Sequence, residues 1–581
     1  MKIGDVEKKT GLNAKTIRYY ESRGLIQVSR TGNQYRAYDE ETVDQLLDIK
    51  QMRELGISLA DIRLWRDGVV SRDELIQKRL QTLDDDDKRS RHIRAFCENF
   101  LQSGTLPVSE AISLDFQESE MGEEADSGQP LLLGIDIGTT SIGAQVIAAD
   151  TGKSIQTYSF DHHAGLLLPE YPDAYAADAS RLLERAVALT DSLIRTYPSI
   201  VSIGITGQMH GIVCVGHEGE ILSPLYTWQN AFGLRQVSHA DPRTYCQKIF
   251  DCCGERIPTG YGLVTCYALE QLGMFPTGTT RIATIMDLLS SRLAGSPIRI
   301  HPTNAASLGG FDLTTNRFKP GIMEKLGLDP TLLPPVSSDY EVVGYYREGD
   351  RQIPVSAAIG DNQAGVFGSL ADNNMVLMNV GTSSQVSIIS TNPSHPGGEV
   401  RPFLDGTYIV SGAALCGGRA YAMLSRLVRS ITSAFGLEPS SKAIYEYLNQ
   451  AAELDYGDPL EISTTFCGTR TDPELRGSIR NIGPDNLTPS ALSSGILHGI
   501  IQELYDMYLL LREQDDNPIP VVSGNAMRRN PVLRNICGKF FNTKPGMTLH
   551  TEEAAFGAAL YGAVSAGILT RQESRSRIQY L

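Results

Sequence analysis

Long hydrophobic runs are missing from this sequence. No stretch of about 18 apolar residues occurs in its 581 residues, so we expect no membrane-spanning helix. The first residues, Met-Lys-Ile-Gly-Asp-Val-Glu-Lys-Lys, also lack the apolar core of a secretory signal. Both absences favour a cytoplasmic protein that contacts no membrane.

Cysteine is scarce and irregularly placed. The nine cysteines include no C-x-x-C pair, and this lack of ligand spacing argues against a structural zinc site. A scattered set in a long chain is typical of free thiols in a reducing compartment. The neighbours Cys252 and Cys253 are interpreted as two packed thiols, with a redox pair as the alternative.

Positive charge is scarce overall but concentrated at one end. The net charge is −16, yet residues 1–38 carry a net charge of +5, which leaves −21 for the remainder. Residues 105–130 contain seven acidic residues and no Lys or Arg, a composition typical of a solvated linker. A basic head on an acidic body indicates that only the head meets an anionic polymer.

The head has the pattern of several short helices. Residues 4–10 and 14–23 are predicted to be helical, with Asn13 as the N-cap of the second helix. Thr31-Gly32-Asn33 predicts a turn between two strands, and Asp39 and Ser58 are candidate caps of two further helices.

A capping box, Ser71-Arg72-Asp73-Glu74, predicts the start of a long helix that reaches about residue 103. We interpret this helix as an antiparallel pairing element between two subunits. The alternative is a single amphipathic helix packed on its own domain.

The body opens with two apolar strands around a glycine turn. Gly138 allows a tight turn with exposed N–H groups, and three hydroxyl side chains follow it. Together they can hold phosphate oxygens, while Asp136 at the strand end can hold a hydrated Mg²⁺. A bare hairpin is the alternative interpretation. The predicted phosphate-binding residues of this turn are Gly138, Thr139, Thr140 and Ser141.

Two further glycine turns follow apolar strands later in the chain. One contains Gly381, Thr382 and Ser383, and its similarity to the first turn predicts two similar lobes around one nucleotide. The other contains Gly524 and Asn525 and is a candidate contact for the base or ribose.

Three segments have the composition of a hydroxyl-phosphorylating site. Asp361, beside Gly360 and before a small-residue helix, can act as the base that accepts a hydroxyl proton, although a helix cap is the alternative. The segments at 207–211 and 228–230 combine polar side chains with an aromatic ring, which is a common way to bind a sugar. Purely structural roles for these side chains are the alternative. The predicted sugar-binding residues are Gln208, Met209, His210, Trp228, Gln229, Asn230, Asp361 and Asn362.

Taken in order, these motifs resemble the FGGY family of carbohydrate kinases over about residues 131–571. They are D-I-G-T-T-S at 136–141, G-Q-M-H-G at 207–211, G-D-N at 360–362, N-V-G-T-S at 379–383 and S-G-N-A-M-R-R-N-P at 523–531. The resemblance implies an α/β, two-lobed actin/hexokinase-like (ribonuclease H-like) fold and the cofactors ATP and Mg²⁺. It also implies Asp361 as the base, Asp136 as the Mg²⁺ ligand and Gly381-Thr382 as part of the triphosphate site.

Within that family the sedoheptulokinases are most similar, through T-W-Q at 227–229, G-Y-G at 260–262 and N-A-A-S-L-G-G-F at 304–311. Two positions depart from the family pattern. Asn230 stands where those kinases usually carry Asp, and Ser523 stands where a first glycine is usual. The sugar implied is therefore sedoheptulose-like or xylulose-like.

The head resembles the MerR family of transcription regulators. The similar segments are residues 3–26, with T-I-R-Y-Y-E and G-L-I, then N-Q-Y-R-A-Y-D at 33–39 and L-G-I-S-L-A-D-I at 55–62. The resemblance implies a largely helical winged helix-turn-helix that binds double-stranded DNA as a homodimer. The residues implied in DNA contact are Lys15, Thr16, Arg18 and Tyr19 on the second helix and Arg36 on the wing.

The predicted organisation follows from these two resemblances. It comprises a DNA-binding domain (1–70), a dimerisation helix (71–104, pairing through 71–103), an acidic linker (105–130), a substrate lobe (131–370) and a nucleotide lobe (371–572). We expect an ATP-dependent ketose kinase that also regulates transcription. The alternative is a regulator whose kinase fold only senses sugar or sugar phosphate.

Overall fold

The computed structural model describes residues 1–30, 36–82, 128–453, 459–469, 472, 474–513 and 518–581. These residues form two compact units, one from 1–129 with 184–199 and one from 130–183 with 200–581. No helix in the described ranges is long and apolar enough to cross a membrane. The predicted wing turn at 31–33, the dimerisation helix beyond residue 82 and most of the acidic linker lie outside the described residues.

The first unit is built from short helices and a small β-ribbon. Its elements are α1 (Ile3–Thr10), α2 (Ala14–Ser22), β1 (Ser29–Arg30), β2 (Arg36–Ala37), α3 (Glu40–Glu54), α4 (Leu59–Arg66), α5 (Arg72–Thr82) and the part from residue 184 of α6 (Ala179–Thr196). Strands β1 and β2 pair antiparallel. The predicted helices at 4–10 and 14–23 are therefore confirmed to within a residue.

The predicted helix caps of the head are confirmed. Asn13 accepts a hydrogen bond from the backbone N–H of Thr16 at 2.8 Å, and Asp39 and Ser58 accept the equivalent bonds at α3 and α4. Satisfying these exposed N–H groups fixes where each helix begins. Apolar side chains on the inner helix faces then form the core, among them Val6, Ile17, Leu46, Ile49 and Ile62.

The predicted capping box at the start of α5 is also present. The Ser71 hydroxyl accepts the N–H of Glu74 at 3.2 Å, and the Glu74 carboxylate accepts the N–H of Ser71 at 2.7 Å. Within the same unit, the Glu74 carboxylate pairs with both terminal nitrogens of Arg185 at 2.8 and 3.1 Å. Both side chains of this ion pair are mostly buried.

The second unit begins with a segment that carries a mixed seven-stranded sheet. The strands of this segment, which also form smaller sheets, are β3 (Leu131–Ile137), β4 (Ser141–Ala148), β5 (Ser154–Asp161), β6 (Gly165–Leu166), β7 (Ala176–Ala177), β8 (Ile200–Gly207), β9 (Val213–Val215), β10 (Leu225–Tyr226), β11 (Arg281–Ala283), β12 (Phe311–Asp312), β13 (Arg317–Phe318), β14 (Val342–Glu348), β15 (Arg351–Ser356) and β16 (Ile359–Gly360). Its helices are α7 (Tyr245–Cys253), α8 (Gly262–Gln271), α9 (Ile285–Ala294), α10 (Pro302–Leu308), α11 (Pro320–Lys325) and α12 (Asp361–Ser369).

The strand order of this first sheet is β14-β15-β8-β3-β4-β5, with β16 also paired to β8. Strands β3 and β4 form an antiparallel hairpin, whereas β8 runs parallel to β3 and β16 runs parallel to β8. The carboxyl ends of β3, β8 and β16 therefore meet at one edge of the sheet.

A second sheet follows with a similar plan. The remaining elements are β17 (Met375–Val380), β18 (Ser384–Ser390), β19 (Glu399–Pro402), β20 (Tyr408–Ala414), α13 (Gly418–Ala434), α14 (Ser441–Ala452), β21 (Glu461–Ser463), β22 (Ser478–Arg480), α15 (Pro489–Leu511), β23 (Ile519–Ser523), α16 (Asn525–Arg529), α17 (Pro531–Phe541), β24 (Gly546–Met547), α18 (Glu553–Ser565) and α19 (Arg571–Ser576). The order is β19-β20-β18-β17-β23-β24, and again a hairpin (β17–β18) has a parallel neighbour (β23). The two predicted similar halves are thus present.

Helix α18 lies directly on the first sheet, although residues 371–572 were predicted as the second lobe. A Cβ atom on Gly134 of β3 would lie 1.8 Å from the carbonyl oxygen of Ala555, and one on Gly204 of β8 would lie 1.7 Å from that of Ala558. A Cβ atom on Gly557 of α18 would likewise lie 1.8 Å from the carbonyl oxygen of Ala364 in α12. Only glycine permits such close contacts between backbones.

Candidate functional site

The first predicted phosphate turn joins β3 to β4. The N–H of Gly138 donates to the carbonyl of Ser141 at 2.9 Å, which closes a tight turn. Thr140 is exposed, and Thr139 and Ser141 are partly exposed, so the hydroxyl groups remain accessible. The amide of Gln208, at the end of β8, donates to the carbonyl of Gly138 at 3.2 Å and supports this turn.

Three polar side chains gather where β3, β8 and β16 end. Each has one enclosed oxygen that makes no hydrogen bond among the described residues: Oδ1 of Asp136, Oε1 of Gln208 and Oδ1 of Asn362. Buried polar atoms normally have a hydrogen-bond partner, because a buried donor or acceptor without one costs about 1–3 kcal/mol. Their grouping at one sheet edge is therefore typical of a ligand-binding site.

Asp136 has the surroundings of a cation ligand. Burial raises the pKa of its carboxyl group to about 8, and the nearby charges of Asp361 and Glu552 add to this effect. A bound cation would reverse this cost by favouring the carboxylate form. Among the described residues, no three His, Cys, Asp or Glu side chains form a complete metal-ligand set. Mg²⁺ suits this arrangement, since it often binds through one or two carboxylates with phosphate oxygens and water.

Glu552 is a site residue that the sequence motifs did not indicate. It immediately precedes α18, and a Cβ atom on Gly143 would lie 3.2 Å from its Oε2 atom. Gly143 is the β4 residue opposite Asp136, so Glu552 lies over the same hairpin. Burial raises the pKa of Glu552, and the neighbouring Glu553 raises it further.

The second and third predicted turns lie side by side. Gly381 follows β17, and Gly524 follows the parallel neighbour β23. Gly524 has a positive φ of 87°, and a Cβ atom there would lie 2.6 Å from the carbonyl oxygen of Val380. The N–H of Gly418, at the start of α13, donates to the carbonyl of Gly381 at 2.8 Å. Thr382, Ser383 and Asn525 are exposed at these turns.

Side chains from both sheets line one cavity of about 340 Å³. Asp136, Asp361 and Asn362 come from the first sheet and α12, and Asn379 and Ser523 come from the second sheet. The Asn379 amide donates to the Ser523 hydroxyl at 2.8 Å across the parallel pair β17–β23. The predicted base and the predicted Mg²⁺ ligand thus share a cavity with residues of β17 and β23, the strands that precede the second and third turns.

Asp361 is the first residue of α12. Its Oδ1 accepts the N–H of Asn362 at 2.7 Å. Burial raises the pKa of Asp361, while this hydrogen bond and the charge of Arg401 act in the opposite direction. A carboxyl group with a raised pKa inside a cavity is suited to accept a proton from a hydroxyl group.

The segment after β8 turns sharply into a second cavity. His210 has a positive φ of 72°, which is uncommon for a residue with a side chain, and its N–H donates to the Ser307 hydroxyl at 3.1 Å. Its Nδ1 donates to the Ser307 carbonyl at 2.9 Å, because a carbonyl can only accept. Its ring lies 4.3 Å from that of Tyr261. Met209 is buried against Gly360, just before Asp361.

This second cavity has a volume of about 320 Å³. It is lined by Met209, His210 and Tyr261 together with Thr303, Ser307 and the β19 residues Glu399 and Arg401. The packing of Met209 on Gly360 places the cavity next to the first turn of α12. The predicted sugar residues Met209 and His210 therefore border a pocket of their own.

The predicted sugar residues at 228–230 have different environments. The Trp228 ring is about half exposed, and its Nε1 donates to the hydroxyl of Thr139 in the first phosphate turn at 3.0 Å. Gln229 is exposed. Asn230 is fully buried; its amide donates to the Ala174 carbonyl at 2.9 Å and accepts the N–H of Phe232 at 3.1 Å. These two bonds hold the loop around Asn230, and its contact with a sugar stays a prediction.

The predicted DNA-contact residues lie on α2 and β2 of the head. Lys15 and Arg18 of α2 are exposed, and Tyr19 is partly exposed, whereas Ile17 and Tyr20 are buried. Thr16 also serves the helix cap, since its hydroxyl donates to Asn13 at 2.9 Å. Arg36 on β2 is exposed and forms an ion pair with Glu21 at 2.6 Å.

Comparison with known proteins supports both halves of this arrangement. Residues 131–368 match the model of the FGGY family of carbohydrate kinases, N-terminal domain. A sedoheptulokinase from Mus musculus is 27% identical over 482 residues, which are 75% of this chain and 97% of that protein. The crystal structure of xylulose kinase from Rhodospirillum rubrum covers 78% of this chain and 93% of its own, with a TM-score of 0.67 and 18% identity. The actin/hexokinase-like fold is thereby confirmed.

The head has relatives of a different kind. Residues 1–68 match the model of the MerR HTH family regulatory protein. The mercuric resistance operon regulatory protein of Bacillus cereus is 50% identical over 74 residues, which are 13% of this chain and 55% of that protein. The chain thus joins a MerR helix-turn-helix domain at its N-terminus to an FGGY-family carbohydrate kinase domain.

Proposed function

We propose that this protein transfers the γ-phosphoryl group of ATP to a hydroxyl group of a ketose, with Asp361 as the base. The observation that carries the proposal is the shared cavity in which Asp136 and Asp361 meet Asn379 and Ser523. A sedoheptulose-like or xylulose-like ketose is favoured, because the relatives with those names span most of this chain.

Each group has a defined task in this proposal. The glycine turns at 138–141 and 381–383, with Gly524 and Asn525, hold the nucleotide. Mg²⁺ would be held by Asp136 and would offset the charge of the transferred phosphate. Asp361 accepts the proton of the attacking hydroxyl, and the neighbouring cavity around His210 holds the rest of the sugar. The Nδ1 bond to Ser307 fixes the orientation of the His210 ring in this cavity.

A kinase assay on a ketose panel with Mg-ATP tests this proposal. We expect turnover with at least one five- or seven-carbon ketose and a loss of about 10²–10⁴-fold in kcat for Asp361→Asn, the range that base catalysis typically contributes. Sugar-induced thermal stabilisation should persist in this variant. Asp350→Asn changes an exposed aspartate in the β14–β15 turn and serves as the control.

Failure of the wild-type protein to turn over any ketose would instead favour a regulator that only senses sugar. Full activity of Asp361→Asn would overturn the assignment of the base.

We further propose that the head binds double-stranded DNA and regulates transcription. The carrying observation is the exposed basic face of α2, with Lys15 and Arg18 directed away from the buried Ile17 and Tyr20. A recognition helix of this kind fits the major groove. Homodimerisation through residues 71–103 remains a prediction. Size measurement of the intact protein by light scattering checks it, and a monomer would contradict it.

A further inference from the structure

The second cavity takes two charged side chains from the other sheet. Met209, His210, Tyr261 and most of the other lining residues belong to the first segment of the unit, whereas Glu399 and Arg401 belong to β19. No sequence motif pointed to β19. Its charged pair therefore needs an explanation in a cavity that borders the first turn of α12.

Arg401 is held in place by its neighbour. Its Nε and Nη2 atoms each lie 2.9 Å from Oε1 of Glu399, which also accepts the hydroxyl of Tyr261 at 3.3 Å. The Arg401 side chain is 17% exposed, and its Nη1 makes no hydrogen bond to another described residue. A largely enclosed guanidinium group with an unused donor, fixed by a carboxylate, is well suited to bind an oxygen atom of a ligand.

Strand β19 is also tied to the helix that carries the base. The buried amide of Gln363 donates to the carbonyl of Pro402 at 3.1 Å, which joins the first turn of α12 to the residue after Arg401. Arg401 therefore keeps a defined position relative to Asp361. A sugar in this cavity would lie between the base and a positively charged donor.

We propose that Arg401 is a sugar-binding residue that determines specificity, and that its Nη1 donates to a hydroxyl or carbonyl oxygen of the bound ketose. Glu399 and Tyr261 position the guanidinium group. The inference rests on the proposed ketose kinase function and extends it, because β19, a strand of the second sheet, would then contribute to sugar recognition. Binding of the sugar would thus bridge both halves of the kinase domain.

Steady-state kinetics of Arg401→Gln and Arg401→Lys test this role. We expect the KM for the ketose to rise about 10- to 100-fold in Arg401→Gln, since hydrogen bonds to charged groups contribute about 1.5–3 kcal/mol. The KM for ATP should change by less than about twofold, and Arg401→Lys should recover part of the loss by restoring a charged donor. Arg347→Gln replaces an exposed arginine on β14 and should match the wild type. Melting temperatures identify any variant that fails to fold.

A series of monodeoxy ketoses locates the contact. If Arg401 binds one hydroxyl group, the analogue without that group should have nearly equal KM values in the wild type and in Arg401→Gln. For the other analogues, the KM of Arg401→Gln should exceed that of the wild type by the same factor as for the complete ketose. A uniform KM ratio across the series would point to a general structural effect and overturn the proposal.

The experiments distinguish failure of the Arg401 proposal from failure of the proposed kinase function. Turnover by the wild type with an unchanged ketose KM in Arg401→Gln overturns the role of Arg401 and leaves the kinase function standing. No turnover with any ketose overturns the kinase function. In that case, the thermal shift caused by ketose still reports on Arg401, and equal shifts in the wild type and both variants would overturn its role too.

Discussion

Asp136 carries a carboxyl group in surroundings that disfavour its charged form. Its carboxyl group is enclosed, its Oδ1 makes no hydrogen bond to a residue that the structure describes, and it faces the charges of Asp361 and Glu552. Burial and like charges both disfavour the ionised form, which accounts for a pKa of about 8. Carboxyl groups with raised pKa values are common at functional sites.

This raised pKa predicts how stability depends on pH. The folded-state pKa of Asp136 lies above its ordinary value of 3.8, so its contribution to stability is present below about pH 4 and is lost as the pH rises to about 8. Asp136→Asn should therefore melt several degrees above the wild type at pH 8.5, and this difference should shrink towards pH 4. Differential scanning fluorimetry without nucleotide measures it.

The same variant should have lost kinase activity if Asp136 holds Mg²⁺. Asp150→Asn, an exposed aspartate after β4, provides the control and should melt like the wild type at every pH. A melting difference that does not vary with pH would contradict the raised pKa.

The elements of the chain differ in how far their sequence determines them. Helix starts at Asn13, Asp39 and Ser58 follow from local hydrogen bonds between neighbouring residues, and these caps were predictable. Close packing of α18 on β3 and β8 was not predictable. It joins Gly134 and Gly204 to residues some 350 to 420 positions later, and no local pattern identifies the partner.

The contact of β8 with α18 predicts a strong effect of one methyl group. In Gly204→Ala the new Cβ would lie 1.7 Å from the Ala558 carbonyl oxygen, so the helix must move away from the sheet. Overpacking typically costs about 1–3 kcal/mol, and a clash with the backbone of a helix should reach at least that range. Urea unfolding followed by circular dichroism measures the loss.

Gly321→Ala is the matched control for this change, because no atom lies within 4 Å of its new Cβ and the residue is in helix α11. This control should be neutral or slightly stabilising. Equal urea midpoints for Gly204→Ala and the wild type would show that α18 does not pack on β8 as described.

Sequence motifs identified the strand-end residues of the kinase domain but not all of their partners. Asp136 was predicted as the Mg²⁺ ligand and Asp361 as the base, and the two share a cavity with Asn379 and Ser523. Glu552 and Arg401 were missed, because long-range packing brings them to the site and neither belongs to a glycine motif. The burial of Asn230 was also not predictable, since a short motif does not reveal how deeply a side chain is enclosed.

Uneven charge gives a prediction for the intact protein. Residues 1–38 have a net charge of +5 and the remainder −21, so DNA affinity should come from the head and fall steeply with salt. Arg18→Ala should weaken binding about 5- to 100-fold in fluorescence anisotropy with duplexes selected from a random library. Lys325→Ala, an exposed lysine on α11, should leave affinity unchanged. Unaltered binding by Arg18→Ala would exclude this contact.

The position of α18 has a consequence for synthesis of the chain. Strands β3 and β8 leave the ribosome long before residues 553–565, which cover them. At about 5–20 residues per second, the interval amounts to roughly 20–80 seconds. During that time one face of a largely apolar sheet has no native cover, whereas the head is already complete. Nascent chains stalled before residue 553 should therefore engage chaperones through the kinase domain while their helix-turn-helix is already folded.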